Sequence, residues 1–354
     1  MPPYNGTMTG DRNTGENPIL EKGESSRVDV RLMIDPPRFV SPDPGVVDLA
    51  KRLAPAFYLD VGNVCNQRCL YCAVPRETLY RTTLEAALEQ ARGAVAHGFR
   101  MAALIGGEPT IWPHLHKALS RLPAAGVAGS VLTTNGLMLA YPTEPDRLVA
   151  GGIKVFGVSL DDFDPERQRR LSLRDDNPDL LARAMENLAK VDADTYFYTV
   201  VTSEMRGRGD WFGRQAASTA ARFRRGPAFF LAALKPVEEA ARQAERLSLP
   251  LSDAVVEARA VRAALAEARL PPTFSVRDFP LCVLGELLPH SMDLLHRNAS
   301  LDLVSGRVEL SCLAADRTFV EACAGCTLRP WCPAIYRSYL ALHGDREFVS
   351  MVMR

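Results

Sequence analysis

The 354-residue chain predicts an α/β fold, a partial (β/α)6, TIM-like barrel followed by a small cysteine-rich C-terminal domain. From about Ala56 to Pro236, short apolar runs alternate with amphipathic segments, the pattern of βα units repeated around a parallel sheet. Six such repeats fit an open barrel, since the closed eight-fold form typically takes ~250 residues. The eight cysteines fall in two groups, three within 65–72 and five in the last quarter of the chain, with none between.

Each segment has its own signal. Residues 1–54 predict a disordered tail and lead-in, because Met1 to Gly23 is rich in Gly, Pro, Asn and Thr and lacks the charged-then-apolar order of a secretion signal. The span 55–236 is the barrel. Its candidate strands are Phe57–Val61, Met101–Ile105, Ser130–Thr134, Lys154–Ser159, Tyr196–Val201 and Ala228–Leu234. Helical periodicity falls between them at Thr83–His97, His114–Leu122, Asp146–Ala150, Leu180–Val191 and Trp211–Phe223. Residues 237–270 read as an Ala/Glu/Arg-rich helical bridge interrupted near Leu249-Pro250, and Pro271-Pro272 opens the C-terminal domain, 271–354.

Composition narrows the function classes. Lys plus Arg, 42, balances Asp plus Glu, 42, so no overall field draws the chain to nucleic acid or to an anionic membrane. The basic run Arg222-Phe223-Arg224-Arg225 reads as a solvated helix end, and no apolar stretch is long enough to span a bilayer. The expected location is the cytoplasm, where clustered thiols bind metal rather than form a disulfide framework.

The chain leaves the first strand through Cys65-Asn-Gln-Arg-Cys69-Leu-Tyr-Cys72, at the strand end where a parallel barrel builds its active site. Three thiols spaced CxxxCxxC in one loop can wrap one face of a cubane cluster and leave one iron open for a substrate. A structural zinc loop is the competing reading, but no His or fourth Cys follows nearby. After the second strand comes Gly106-Gly107-Glu108-Pro109, whose glycines allow close backbone approach and whose carboxylate could grip an ammonium. The third and fourth strands end at Asn135 and at Ser159-Leu160-Asp161-Asp162, placing small polar residues on the same rim.

In order and spacing, residues from about Tyr58 to Leu234 resemble the radical S-adenosylmethionine superfamily. The resemblance implies a 4Fe-4S cluster on Cys65, Cys69 and Cys72, its open iron chelated by the amino and carboxylate groups of S-adenosylmethionine. Gly106, Gly107, Glu108 and Pro109 correspond to the family element that receives the methionine amine. Tyr71 stands at the aromatic position near the adenine, and Asn135, Ser159 and Asp161 stand where relatives contact the methionine carboxylate or ribose. The implied reaction is reductive cleavage to a 5′-deoxyadenosyl radical that abstracts hydrogen from a substrate, with a flavodoxin or ferredoxin as reductant.

The later cysteines, Cys323-Ala-Gly-Cys326 and Cys332 with Cys282 upstream, supply four thiolates, enough for a cluster or a zinc ion. Beside the first motif they resemble the auxiliary-cluster extension called SPASM or, in shorter form, twitch. The full pattern carries about seven cysteines, so the five here imply one auxiliary 4Fe-4S cluster, held by Cys282, Cys323, Cys326 and Cys332. Cys312 has three readings: an inert core thiol, a ligand in place of Cys282, or a catalytic hydrogen-atom donor.

The six histidines are scattered and read as structural or surface residues. Asp161 and Asp162 are candidate acid–base groups without a way to choose between them. No N-terminal segment is large enough for cobalamin, and none resembles a peptide-leader-binding domain, which favours a small molecule or short peptide as substrate. The readings from other classes are a zinc-binding scaffold and an iron–sulfur electron carrier, neither of which needs an amine-gripping loop at Gly106–Pro109.

Overall fold

A computed structural model describes residues 26–310 and 316–352. The N-terminal tail through residue 25 and Cys312 therefore lie outside the described residues. Strand β1 (Arg27–Met33) and helix α1 (Pro44–Leu53) come first. They are followed by β2 (Ala56–Asp60), α2 (Leu84–Ala96), β3 (Met101–Ile105), α3 (Leu115–Arg121), β4 (Gly129–Thr134), α4 (Glu144–Ala150) and β5 (Ile153–Ser159). Helices α5 (Pro165–Ser172) and α6 (Asn177–Leu188) lead to β6 (Asp194–Val201), α7 (Gly209–Ala220) and β7 (Ala228–Ala233). The bridge holds α8 (Glu238–Arg242), α9 (Ala244–Leu247) and α10 (Leu251–Ala266). Last come β8 (Phe274–Arg277), β9 (His296–Asp302), β10 (Val308–Leu310), β11 (Arg317–Thr318), β12 (Ile335–Tyr336) and α11 (Arg337–His343).

Ten strands form one sheet in the order β10-β9-β1-β2-β3-β4-β5-β6-β7-β8. The six expected strands are β2 to β7, parallel neighbours in sequence order, and β8 adds a seventh parallel strand beside β7. Two expectations are corrected here. The lead-in is not structureless, since β1 pairs antiparallel with β2, and α1 is capped by Asp43, whose carboxylate accepts from Val46 N at 3.1 Å. Nor does the sheet stop at residue 271: β8 joins the parallel set, and β9 lies antiparallel against β1 from Arg27↔Asp302 to Met33↔His296. Pairing across more than 260 residues leaves no local pattern, which is why the boundary looked sharper in sequence.

The parallel strands alternate. Phe57 and Leu59 face the helical layer, which buries Leu84, Ala87, Leu88, Ala91 and Ala94 of α2 against them. The other face looks into the barrel, where Ala56, Ala103, Val131, Val155, Tyr196 and Phe230 pack on Val46, Leu49, Ala50 and Leu53 of α1. That helix closes the strands' N-terminal ends with apolar side chains, so polar chemistry is left to the C-terminal ends. Among the described residues, no helix is long and apolar enough to cross a membrane.

Candidate active site

The loop after β2 carries Cys65, Cys69 and Cys72, all half-buried and free. Together they border a cavity of about 350 Å³ at the C-terminal ends of β2 to β7, within the size range of small-molecule sites. Gly106, Gly107, Asn135, Ser159 and Tyr71 line the same cavity, as the sequence reading expects. Polar wall residues that were not among the expected site residues include Gln67, Arg76, Thr133, Thr134, Tyr198 and Lys235. The inward alternation of β4 and β6 would have found Thr133 and Tyr198, but Lys235 follows β7 in an irregular turn.

Local contacts shape the cysteine loop. Gln67 N donates to Cys65 Sγ at 3.4 Å, and Cys69 Sγ donates to Gln67 Oε1 at 3.3 Å. Asn135 Nδ2 donates to Asn66 Oδ1 at 2.7 Å and lies 3.9 Å from Cys65 Sγ. Gln67 is only 6% exposed, and its Nε2 has no hydrogen-bond partner although the residue borders the cavity. A buried amide donor left open there can be met by water or by a ligand in the cavity. Burial pushes the Cys65 and Cys69 thiols up, so a positively charged centre is needed to draw them into the thiolate form.

The glycines that line the cavity also pack against the cysteine loop. A Cβ on Gly107 would sit 2.4 Å from Val64 O and 2.5 Å from Asn63 O, and Gly106 holds φ +138°. Their freedom lets the β3 exit dock on the chain's own Gly62–Val64 segment, where Gly107 N donates to Gly62 O at 2.7 Å and Glu108 N to Val64 O at 2.9 Å. The cysteine loop and the glycine turn are thereby joined as one unit.

Glu108 stands apart from the cavity wall. It is 2% exposed and does not line the cavity. Its Oε1 accepts from Thr110 N (3.0 Å), Thr110 Oγ1 (2.5 Å) and Thr134 Oγ1 (2.6 Å), and its Oε2 accepts from Asn135 N (2.7 Å). Burial raises its pKa while these donors oppose the rise. A carboxylate so occupied ties the β3 and β4 exits together. Pro109 likewise lies outside the wall, buried at the start of a single helical turn, Pro109–Ile111.

Asp161 is placed in a similar way. It is 6% exposed, behind the cavity wall. Tyr71 donates its hydroxyl to one Asp161 oxygen, and Gln168 Nε2 donates to the other at 3.2 Å. Burial pushes the Asp161 carboxyl up to about 7. Asp161 therefore anchors Tyr71, which in turn faces the cavity. Asp162 pairs with Arg208 at 3.3 Å, and His116 with Glu144 at 2.8 Å.

Cys282, Cys323, Cys326 and Cys332, free and half-buried, border one small cavity of about 10 Å³ with Leu281, Phe319 and Ile335. The four expected ligands converge although 40 residues separate the first pair in sequence. Burial pushes the Cys332 thiol up to about 12. In both groups the thiols surround a space rather than meet at one point: among the described residues, no three His, Cys, Asp or Glu side chains are gathered tightly enough for one metal ion.

Residues 59–207 match the Radical SAM superfamily. GTP 3′,8-cyclase 1 of Mycobacterium tuberculosis (strain CDC 1551 / Oshkosh) is 32% identical over 185 residues, which cover 48% of this chain and 50% of that protein. GTP 3′,8-cyclase of Pseudomonas fluorescens (strain Pf0-1) is 32% identical over 175 residues, 47% of this chain and 50% of that one. The chain thus spans about half the length of the curated relatives it matches. The crystal structure of Streptococcus suis SuiB bound to precursor peptide SuiA aligns with a TM-score of 0.51 at 17% identity, covering 65% of this chain and 51% of that one. That likeness is one of fold.

Proposed function

The chain carries a radical SAM domain, and from that premise we propose that it is an enzyme that cleaves S-adenosylmethionine reductively to draw hydrogen from a small-molecule or short-peptide substrate. The observation that carries this reading is the convergence of Cys65, Cys69 and Cys72 on one 350 Å³ cavity that Gly106, Gly107, Asn135 and Ser159 also line. Cys65, Cys69 and Cys72 would hold a 4Fe-4S cluster, which would supply the electron for reductive cleavage of the sulfonium to methionine and a 5′-deoxyadenosyl radical.

The chain's own residues bind and orient. Gly106 and Gly107 present backbone to the methionine end, held in place by their bonds to the cysteine loop. Asn135 and Ser159 offer side-chain hydrogen bonds to carboxylate or ribose from the exits of β4 and β5. Tyr71, fixed by Asp161, packs against the adenine. The apolar floor built on α1 excludes water below the cavity, which protects a radical from quenching. Because the likeness to the GTP 3′,8-cyclases covers half of each chain, the radical chemistry carries over and GTP as substrate does not. A flavodoxin or ferredoxin would supply the electron.

Anaerobic reconstitution with iron and sulfide, followed by dithionite and S-adenosylmethionine, is expected to yield 5′-deoxyadenosine. Brown, fully loaded protein that leaves S-adenosylmethionine intact would make the chain an electron carrier instead.

Cys282, Cys323, Cys326 and Cys332 hold an auxiliary 4Fe-4S cluster on the same reading, four thiolates around one cavity. Cys282→Ser should lower iron by the share of that cluster and leave the first cluster's spectrum in place. Iron retained in Cys282→Ser but lost in Cys312→Ser would transfer the ligand role to Cys312. If Cys312→Ser keeps both clusters and still forms deoxyadenosine without product, Cys312 is the hydrogen-atom donor.

A further inference from the structure

The wall of the first cavity carries two cationic side chains, Arg76 and Lys235, and no carboxylate. What answers each of them differs. Lys235 Nζ lies 2.9 Å from Asp278 Oδ2, an ion pair that neutralises it from behind the wall. Among the described residues, the Arg76 side chain has no ion-pair or hydrogen-bond partner. Glu239 lies within reach of its field, but that carboxylate accepts from Arg242 Nη1 at 2.9 Å. Arg242 first, and Arg76 only as a weaker influence, hold the Glu239 carboxyl below its ordinary value. Arg76 is therefore the one charge of the wall that no carboxylate cancels.

The half-buried Arg76 side chain is also rooted on a fixed segment. Asn63, 3% exposed just beyond β2, donates its amide to Pro75 O at 2.9 Å and to Thr78 O at 2.7 Å. Its Oδ1 accepts from Tyr80 N at 2.8 Å. One buried side chain, two residues before Cys65, thus clasps the carbonyls that flank Arg76. Upstream, Cys72 O accepts from Ala240 N at 3.2 Å, so the stretch between cysteine loop and Arg76 is held at both ends. The chain spends its own hydrogen bonds on keeping this arginine at the cavity.

The groups left to face the guanidinium are the thiols. Cys65, Cys69 and Cys72 share its cavity, and burial pushes the Cys65 thiol up while Gln67 N and the Arg76 charge oppose the rise. An uncancelled cation beside a half-buried site favours whatever there becomes more negative.

We infer that Arg76 is the counter-charge of the centre held by Cys65, Cys69 and Cys72, and that it stabilises the reduced form of that centre. Arg76 acts through the centre rather than on substrate, and it lies outside both the cysteine motif and the glycine turn. The inference deepens the radical reading and rests on it for the identity of the centre.

A redox titration followed by electron paramagnetic resonance tests this, on the full chain loaded with iron and sulfide and free of S-adenosylmethionine. In Arg76→Gln the ratio of reduced to oxidised first centre should fall about tenfold at a fixed potential, a downward shift of about 59 mV for one electron. Arg76→Lys keeps the charge and should keep most of the wild-type potential. The auxiliary site should titrate unchanged in both variants, an internal reference in the same sample. Arg225→Gln, at an exposed pair with Asp192 before the N-terminal end of β7, should leave both potentials in place. Should Arg76→Gln fail to load iron, Arg76→Met carries the same expectation. A first-centre potential indifferent to loss of the charge, or lowered equally by Arg76→Lys, overturns the inference. An arginine reserved for an anionic ligand would give that result, because the protein is titrated without one. Wild-type protein that loads no cluster on the first three thiols removes the radical reading as well, whereas a loaded wild type with an unmoved variant removes this inference alone.

Discussion

Cys69→Ala protein, reconstituted anaerobically, should form 5′-deoxyadenosine no faster than the reagents do without protein. Among the described residues, Cys65, Cys69 and Cys72 are the thiols that border the cavity, so none of these stands by to replace a missing one. Removing partners that merely orient metal ligands costs about 10–100-fold, and removing a ligand itself should exceed the upper figure. Iron should fall to the amount held by the auxiliary site, which distinguishes loss of one cluster from general misfolding. Alanine is preferred to serine because an alkoxide could stand in for the thiolate. Wild-type rates of deoxyadenosine formation in this variant would remove Cys69 from the ligand set and with it the assignment of the cavity.

Glu108→Ala should destabilise the chain by about 3–5 kcal/mol, read by urea unfolding with and without S-adenosylmethionine. The carboxylate accepts four hydrogen bonds in a site only 2% exposed, and alanine leaves their donors buried without acceptors. Glu108→Gln keeps the three contacts to Oε1 but sets an amide NH2 against Asn135 N, so a loss of about 1–3 kcal/mol is expected. The stability loss should be present without ligand. If instead both variants unfold like the wild type and only the affinity for S-adenosylmethionine falls, Glu108 contacts the ligand and the structural reading of its hydrogen bonds fails.

Much of the barrel was legible in sequence. Strands β2 to β7 run as apolar segments between amphipathic helices, and their expected bounds differ from the observed ones by no more than two residues at any end. Strand β1 escaped notice because Arg27, Asp29 and Arg31 interrupt its apolar positions every second residue, and that alternation is short. A better signal was available for α1, where Asp43-Pro44 is a helix start of the ordinary kind, with a capping carboxylate followed by Pro in the first turn. Strands β8 to β10 carried no signal, since their pairing depends on β7 and β1, far away along the chain.

By itself the sequence determined which residues could do chemistry and in what order they meet the rim: thiols after β2, glycines after β3, small polar residues after β4 and β5. Those are local facts, set by spacing and by strand period. Tertiary structure alone decided which way the carboxylates face. Glu108 and Asp161 turn from the cavity because Thr134 and Asn135 at the end of β4, and Gln168 on α5 with Tyr71, bring donors to them there. A buried carboxylate settles where its hydrogen bonds are satisfied, and the partners that satisfy it come from other elements of the fold.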